Sequence, residues 1–200
     1  AYISQEVVLD GRNDPLIPRR GPYVAVGLNW AGLIFGGDYD YWQADYDMRY
    51  FYSFSQIGNW KPFGSDKTIR KMRLEKGKDL RRVDSVLAVR STAGALLPYS
   101  RNAPAKYAPY SNHLFLGGGS DVRGWKNYRL GPYLCREDDC VVDGVQMTDD
   151  VIPIGGKASL YGSIEYRHYM QDDWEGFGVA TFLDAGMVWD QVSNVQLSDL

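Results

Sequence analysis

The sequence predicts an all-β fold: part of a transmembrane antiparallel β-barrel, with a long extracellular loop that Arg123, a lone arginine among glycines with acidic partners on the strands, marks as folded inward. Three observations carry the barrel. Six segments alternate strongly between apolar and small or polar side chains, the period of a strand with two different faces. The aromatic residues are mainly Tyr (15) and Trp (6), many near segment ends, where interfacial girdles sit. No apolar run approaches the roughly 20 residues that a membrane helix needs.

The first strand is expected over Tyr2–Leu9. In the second, Tyr23–Ala31, Val24, Val26, Leu28 and Trp30 share a face opposite Ala25, Gly27 and Asn29. The third, Tyr41–Tyr52, sets Trp42, Ala44, Tyr46, Met48, Tyr50 and Tyr52 against Tyr41, Gln43, Asp45, Asp47, Arg49 and Phe51. One face suits lipid and the other water. The fourth strand is placed at Val83–Ala95. In the fifth, Ala158–Arg167, Ala158, Leu160, Ile164 and Tyr166 oppose Ser159, Tyr161, Ser163, Glu165 and Arg167. In the sixth, Phe177–Trp189, Phe177, Val179, Leu183, Ala185, Met187 and Trp189 oppose Gly178, Ala180, Phe182 and Asp184. Glu165 and Asp184 therefore both fall on the face turned from lipid. Tyr23, Trp30, Trp42, Tyr52, Trp174 and Trp189 are the expected girdle residues.

The connections sort by side. Asp10–Gly21, with Pro15 and Pro18 unable to donate ladder bonds, and Gln171–Gly176 are turns on one side. Gly36–Asp38 and the long Leu96–Gly156 connection lie on the other, and in outer-membrane barrels the long loops face out of the cell. Six strands cannot close such a barrel, for which about eight is the minimum, because an open edge in lipid would leave backbone groups unpaired. The opening Ala1-Tyr-Ile-Ser has no signal-peptide layout and already reads as strand, so residues 1–200 are expected to be a partial barrel domain with its targeting segment upstream.

Charge is unevenly placed. The chain carries −3, but Lys67–Arg82 holds Lys67, Arg70, Lys71, Arg73, Lys76, Lys78, Arg81 and Arg82 against Glu75 and Asp79, which is +6 against −9 elsewhere. That segment reads either as a solvated loop or as a contact for phospholipid head groups or an acidic partner; nucleic acid is not expected across an outer membrane. Cys135 and Cys140, spaced C-x4-C, are expected to form a local disulfide in an oxidising compartment. Two cysteines cannot complete a four-ligand zinc site, and His113 and His168 are distant in sequence. The acidic run from Glu137 to Asp150 lacks EF-hand spacing. The stretch Gly117-Gly-Gly-Ser120 lacks the lysine of a phosphate loop, and no G-x-S-x-G occurs. No catalytic site, metal or cofactor is expected.

One loop stands apart. Phe115-Leu-Gly-Gly-Gly-Ser-Asp-Val-Arg-Gly-Trp125, followed by Leu130-Gly-Pro132, resembles the VRG(F/Y/W) loop of the outer-membrane assembly superfamily, the BamA/TamA-type surface-antigen barrels. Three more segments agree in order: Asp10–Gly21 is similar to the D-x-R-x-x-P-x-x-P-x-x-G turn, Gly155 to Arg167 to the GG…GS-x-EYR strand, and Phe182–Gly186 to F-x-DAG. The Lys67–Arg82 stretch and the Cys135/Cys140 loop depart from the family pattern.

The resemblance implies a C-terminal barrel portion of about 16 strands when complete, preceded by POTRA domains. The POTRA domains, early strands and last strands would lie outside these residues. It implies an outer membrane, bacterial or organellar, and a factor that assembles and inserts other barrel proteins without nucleotide. The implied partners are outer-membrane lipids, nascent barrel proteins, and accessory lipoproteins or periplasmic chaperones. Val122, Arg123, Gly124 and Trp125 become the site motif, with Arg123 expected to meet Glu165 and Asp184 in the lumen. The alternative for Arg123 is a solvated loop tip. The alternative for the protein is a two-partner-secretion-type transporter, which shares the inward loop.

Overall fold

The computed structural model describes residues 2–32, 39–54, 85–99, 108–135, 151–169 and 178–200. The alternating segments become strands β1 (Tyr2–Asp10), β2 (Gly21–Ala31), β3 (Tyr41–Ser53), β4 (Ser85–Pro98), β7 (Ala158–Tyr169) and β8 (Gly178–Trp189). They pair antiparallel in the order β1-β2-β3-β4-β7-β8, each beside its successor along the sheet. Two short strands, β5 (Tyr133–Cys135) and β6 (Val151–Pro153), form a separate ribbon within the long connection. Sequence periodicity does not reveal it, because three residues are too few to show a period. β4 runs past its expected end at Ala95 because Leu97 and Pro98 find partners in Trp42 and Tyr41.

The two faces differ as the alternation requires. Leu28, Trp42, Met48, Tyr50, Tyr52, Ile164, Tyr166 and Leu183 stand exposed on the outer face. Register pairs Trp30 with Trp42, whose rings lie 5.1 Å apart, and Tyr99 meets Trp42 edge-on at 6.4 Å. At the opposite strand ends Phe54 packs on Tyr52 and Tyr166. Aromatic groups thus flank the apolar band at both ends, the arrangement of a membrane-spanning sheet.

Two girdle assignments are corrected. Tyr23 lies on the inner face, with the guanidinium of Arg12 4.6 Å and that of Arg49 5.3 Å from its ring centroid. Its odd position beside Ala25 and Gly27 already put it there. Trp189 is buried, and its indole Nε1 donates to Asp199 Oδ2 at 2.8 Å, so the C-terminal turns cover it. Trp174 lies outside the described residues.

The turn between β1 and β2 is closed by its own side chains. Asn13 Oδ1 accepts the amides of Arg19 and Arg20, and Asp14 Oδ1 those of Leu16 and Ile17. Arg12 forks onto Asp10. Gly21 has φ +107, and a Cβ there would meet the Gly11 carbonyl, so glycine is required where the chain turns back into β2.

The long connection returns onto the inner face. Leu114 and Gly156 exchange both backbone bonds at 2.9 Å, Leu116 bridges Leu130, and Ile154 donates to Pro132. Leu116, Val122 and Leu130 from this loop are buried in one cluster with Tyr161 of β7 and Val188 of β8. Apolar burial of this kind, not loop polarity, draws the segment onto the wall.

Candidate functional site: an arginine clamped on the inner wall

Alternation puts Ser163, Glu165 and Arg167 of β7 and Phe182 and Asp184 of β8 on the inner face. Antiparallel register sets Ser163 opposite Asp184 and Glu165 opposite Phe182. Two adjacent cross-strand pairs therefore make one patch holding two carboxylates, a hydroxyl and a ring.

The loop reaches this patch through left-handed glycines. Gly117, Gly118 and Gly124 have φ of 106°, 105° and 111°, values that side chains with a Cβ adopt at a cost. The amide of Asp121 donates to Gly118 and that of Trp125 to Val122, so two tight turns bracket Arg123. Val122 is buried against the wall while Trp125 stays exposed.

Arg123 spends every guanidinium nitrogen on the patch. Its Nε donates to Asp184 Oδ2 at 2.7 Å and Nη2 to Asp184 Oδ1 at 2.8 Å, the bidentate fork. Nη1 donates to Glu165 Oε2 at 2.7 Å, and Nη2 also reaches Ser163 Oγ at 3.2 Å. The flat face of the guanidinium lies 3.4 Å from the centroid of the Phe182 ring, within cation–π range. The second oxygen of Glu165 is taken by Arg167 Nε at 2.6 Å. The Asp184 side chain is 3% exposed and that of Glu165 15%, so both carboxylates depend on these donors in place of water. Removing the cation from such a site costs on the order of 3–5 kcal/mol, because the carboxylates stay behind uncompensated.

The structure thus brings Arg123, Glu165 and Asp184 together and leaves the Arg123 side chain 26% exposed, on the wall and not at a free loop tip. It adds Phe182, Ser163 and Arg167, whose signal was their inner-face parity. Cys135 lies in β5, whereas Cys140 and the basic residues Arg70, Lys71, Arg73, Lys76, Lys78, Arg81 and Arg82 lie outside the described residues. Among the described residues no His, Cys, Asp or Glu group could hold a metal. One Ser–His contact appears that spacing did not reveal: Ser85 Oγ lies 3.0 Å from His168 Nδ1 and 2.8 Å from the Tyr166 hydroxyl, across the β4–β7 pairing. Among the described residues no carboxylate hydrogen-bonds His168, and the trio forms a polar seam beside the aromatic band.

Compared with known families, residues 1–199 match the Omp85 superfamily domain. The chain belongs to the Omp85 superfamily. Membership makes the sheet a section of an outer-membrane β-barrel, bacterial or mitochondrial. The mouse sorting and assembly machinery component 50 homolog is 26% identical to this Omp85 chain over 184 residues, 92% of the chain and 30% of that protein. The human homolog is 24% identical over the same shares. The chain therefore spans about 30% of the length of these curated relatives. Among solved structures, BamA from Haemophilus ducreyi lacking POTRA domains 1–3 superposes with a TM-score of 0.65 at 17% identity, covering 94% of this chain and 30% of that one. At that identity the likeness establishes the shared barrel fold.

Proposed function

We propose that this Omp85 chain belongs to a factor that assembles and inserts β-barrel proteins in an outer membrane, with the Arg123 loop locked against the lumen wall by Glu165 and Asp184. The single observation that carries the reading is the complete engagement of Arg123: four nitrogens on two carboxylates and a hydroxyl, one ring face on Phe182. A passive pore has no need of a loop fastened across its lumen.

In this reading the site does no covalent chemistry, and the protein is not an enzyme. The clamp fixes a large loop so that the barrel wall keeps its shape while other parts of the protein receive a client. Its partners are outer-membrane lipids on the apolar face, nascent barrel proteins, and accessory lipoproteins or chaperones on the short-turn side. The curated relatives support this through their names, which describe sorting and assembly machinery.

The test is a double-mutant cycle in the full-length protein, pairing Arg123→Ala with Asp184→Asn and reading heat-modifiable barrel stability and client insertion. The expected result is coupling of roughly 1–3 kcal/mol in stability together with loss of insertion in both single variants. Additive, mild effects with normal insertion would overturn the reading. Secretion of a soluble exoprotein through the lumen would transfer the chain to the two-partner-secretion class.

A further inference from the structure

A second ionic group stands on the inner face beside the Arg123 patch. Asp47 of β3 accepts hydrogen bonds from Arg49 on its own strand and from Arg90 on β4, the latter at 3.2 Å between Nη2 and Oδ2. The other terminal nitrogen of Arg90, Nη1, donates to the main-chain carbonyl of Ser120 at 2.9 Å. Asp121 lies 4.0 Å from that same nitrogen, and the Arg90 guanidinium sits 5.5 Å from the Tyr161 ring centroid. Arg49, Arg90, Arg123 and Arg167 line one cavity of about 200 Å³ under the loop. Each of the four has an acidic partner, Asp47 for Arg49 and Arg90, Asp184 and Glu165 for Arg123, and Glu165 for Arg167, and of these acids Glu165 also lines the cavity.

We infer that Arg90 is a second anchor of the loop, a positioning residue that fastens Ser120 to the β3–β4 pair while Arg123 fastens the loop to β7–β8. The inference rests on the reading of Arg123 as a lock and extends it across the sheet. A guanidinium can do this because its two terminal nitrogens point the same way and can serve two acceptors at once. Asp47 takes one and so aims the other at the loop. The Nε of Arg90 is buried without a hydrogen-bond partner among the described residues, so its hydrogen bonds come from the two terminal nitrogens alone. The acceptor is a main-chain carbonyl, presented by the turn in which Asp121 donates to Gly118. A loop held at one point can pivot about it. Held at Ser120 and at Arg123, on strand pairs that meet at the β4–β7 seam, it is fixed in position and ties four strands together.

The experiment is amide hydrogen exchange across residues 117–126 in the full-length barrel, comparing wild type with Arg90→Met, Asp47→Asn, Ser120→Ala and Arg123→Ala. Arg90→Met keeps the aliphatic stem and removes the donors. It should speed exchange in the loop roughly tenfold or more, the value of one hydrogen bond from a charged donor, and leave the β4 and β7 amides protected. Asp47→Asn should produce a smaller rise at the same amides. Ser120→Ala should change nothing, because its carbonyl remains. Loop protection unchanged in Arg90→Met while Arg123→Ala loses it would overturn the second anchor and leave the lock standing. Protection unchanged in both variants would overturn the lock as well. Equal acceleration in Ser120→Ala would mean that the side chain is gripped, and would also overturn the inference, as would loss of strand protection in Arg90→Met.

Discussion

Asp184 binds Arg123 three times: its carboxylate accepts the main-chain amide at 3.1 Å, Nε at 2.7 Å and Nη2 at 2.8 Å. One side chain on the wall thus reads both the backbone position and the guanidinium of one loop residue. Lysine would preserve the charge and the amide contact but present a single point where the fork meets two oxygens. Arg123→Lys should therefore behave nearly as badly as Arg123→Ala, lowering barrel stability by about 2–4 kcal/mol, because one ammonium cannot satisfy the buried oxygens of both carboxylates. Denaturant titration of the folded barrel, read by heat-modifiable migration, checks this; a lysine variant indistinguishable from wild type would show that charge alone holds the loop.

The Phe182 ring contributes separately from the carboxylates, since it meets the flat face of the guanidinium while they meet its edge. Phe182→Leu keeps apolar bulk and removes the π face, and should cost roughly 1 kcal/mol. Phe182→Tyr should be close to neutral. Equal losses in the two variants would assign the contact to packing.

Two glycines with ordinary φ make opposite predictions. A Cβ at Gly156 would meet the Trp189 carbonyl, where Lys157 donates its amide to the same oxygen at 2.8 Å. A Cβ at Gly119 meets nothing within 4 Å. Gly156→Ala should destabilise by about 1–3 kcal/mol, because main chain must move. Gly119→Ala should be neutral, or stabilising by a few tenths of a kcal/mol through the unfolded chain. Thermal or denaturant midpoints of the two variants provide the comparison.

Asp14 in the turn between β1 and β2 has its carboxyl held below the ordinary value of 3.8 by the amides of Ile17 and Leu16. A carboxylate with a depressed folded pKa adds stability above its unfolded value and loses it as pH falls through the folded one. The turn should therefore stay closed from neutral pH down to its ordinary titration range and loosen below. Limited proteolysis at the turn across that range measures it, and Asp14→Ala should show open-turn cleavage already at neutral pH.

Strand positions were legible to within a few residues, because the outer face is repetitive: Val24, Val26 and Leu28 announce their parity one after another. The partners of Arg123 were legible through the family resemblance together with inner-face parity, since parity alone leaves Asp45 and Asp47 beside Glu165 and Asp184 as candidates. Phe182 had the right parity, but a ring stacked beneath a guanidinium carries no periodic signal. The Ser120 contact was beyond reach, since a main-chain acceptor has no sequence signature. Trp189 was misassigned for a related reason: a tryptophan at a strand end looks the same from sequence whether lipid or the chain's own C-terminal turns lie over it.

The long connection is stitched at its base and again further in, at Leu114–Gly156, Leu116–Leu130, Pro132–Ile154 and the β5–β6 ribbon. Each stitch shields those before it from whatever follows. Chain inserted between Cys135 and Val151 would pull on the ribbon before it could pull on Arg123. An epitope tag or a docking module grafted there would give the barrel a handle beyond the ribbon while leaving the clamp mechanically isolated from it.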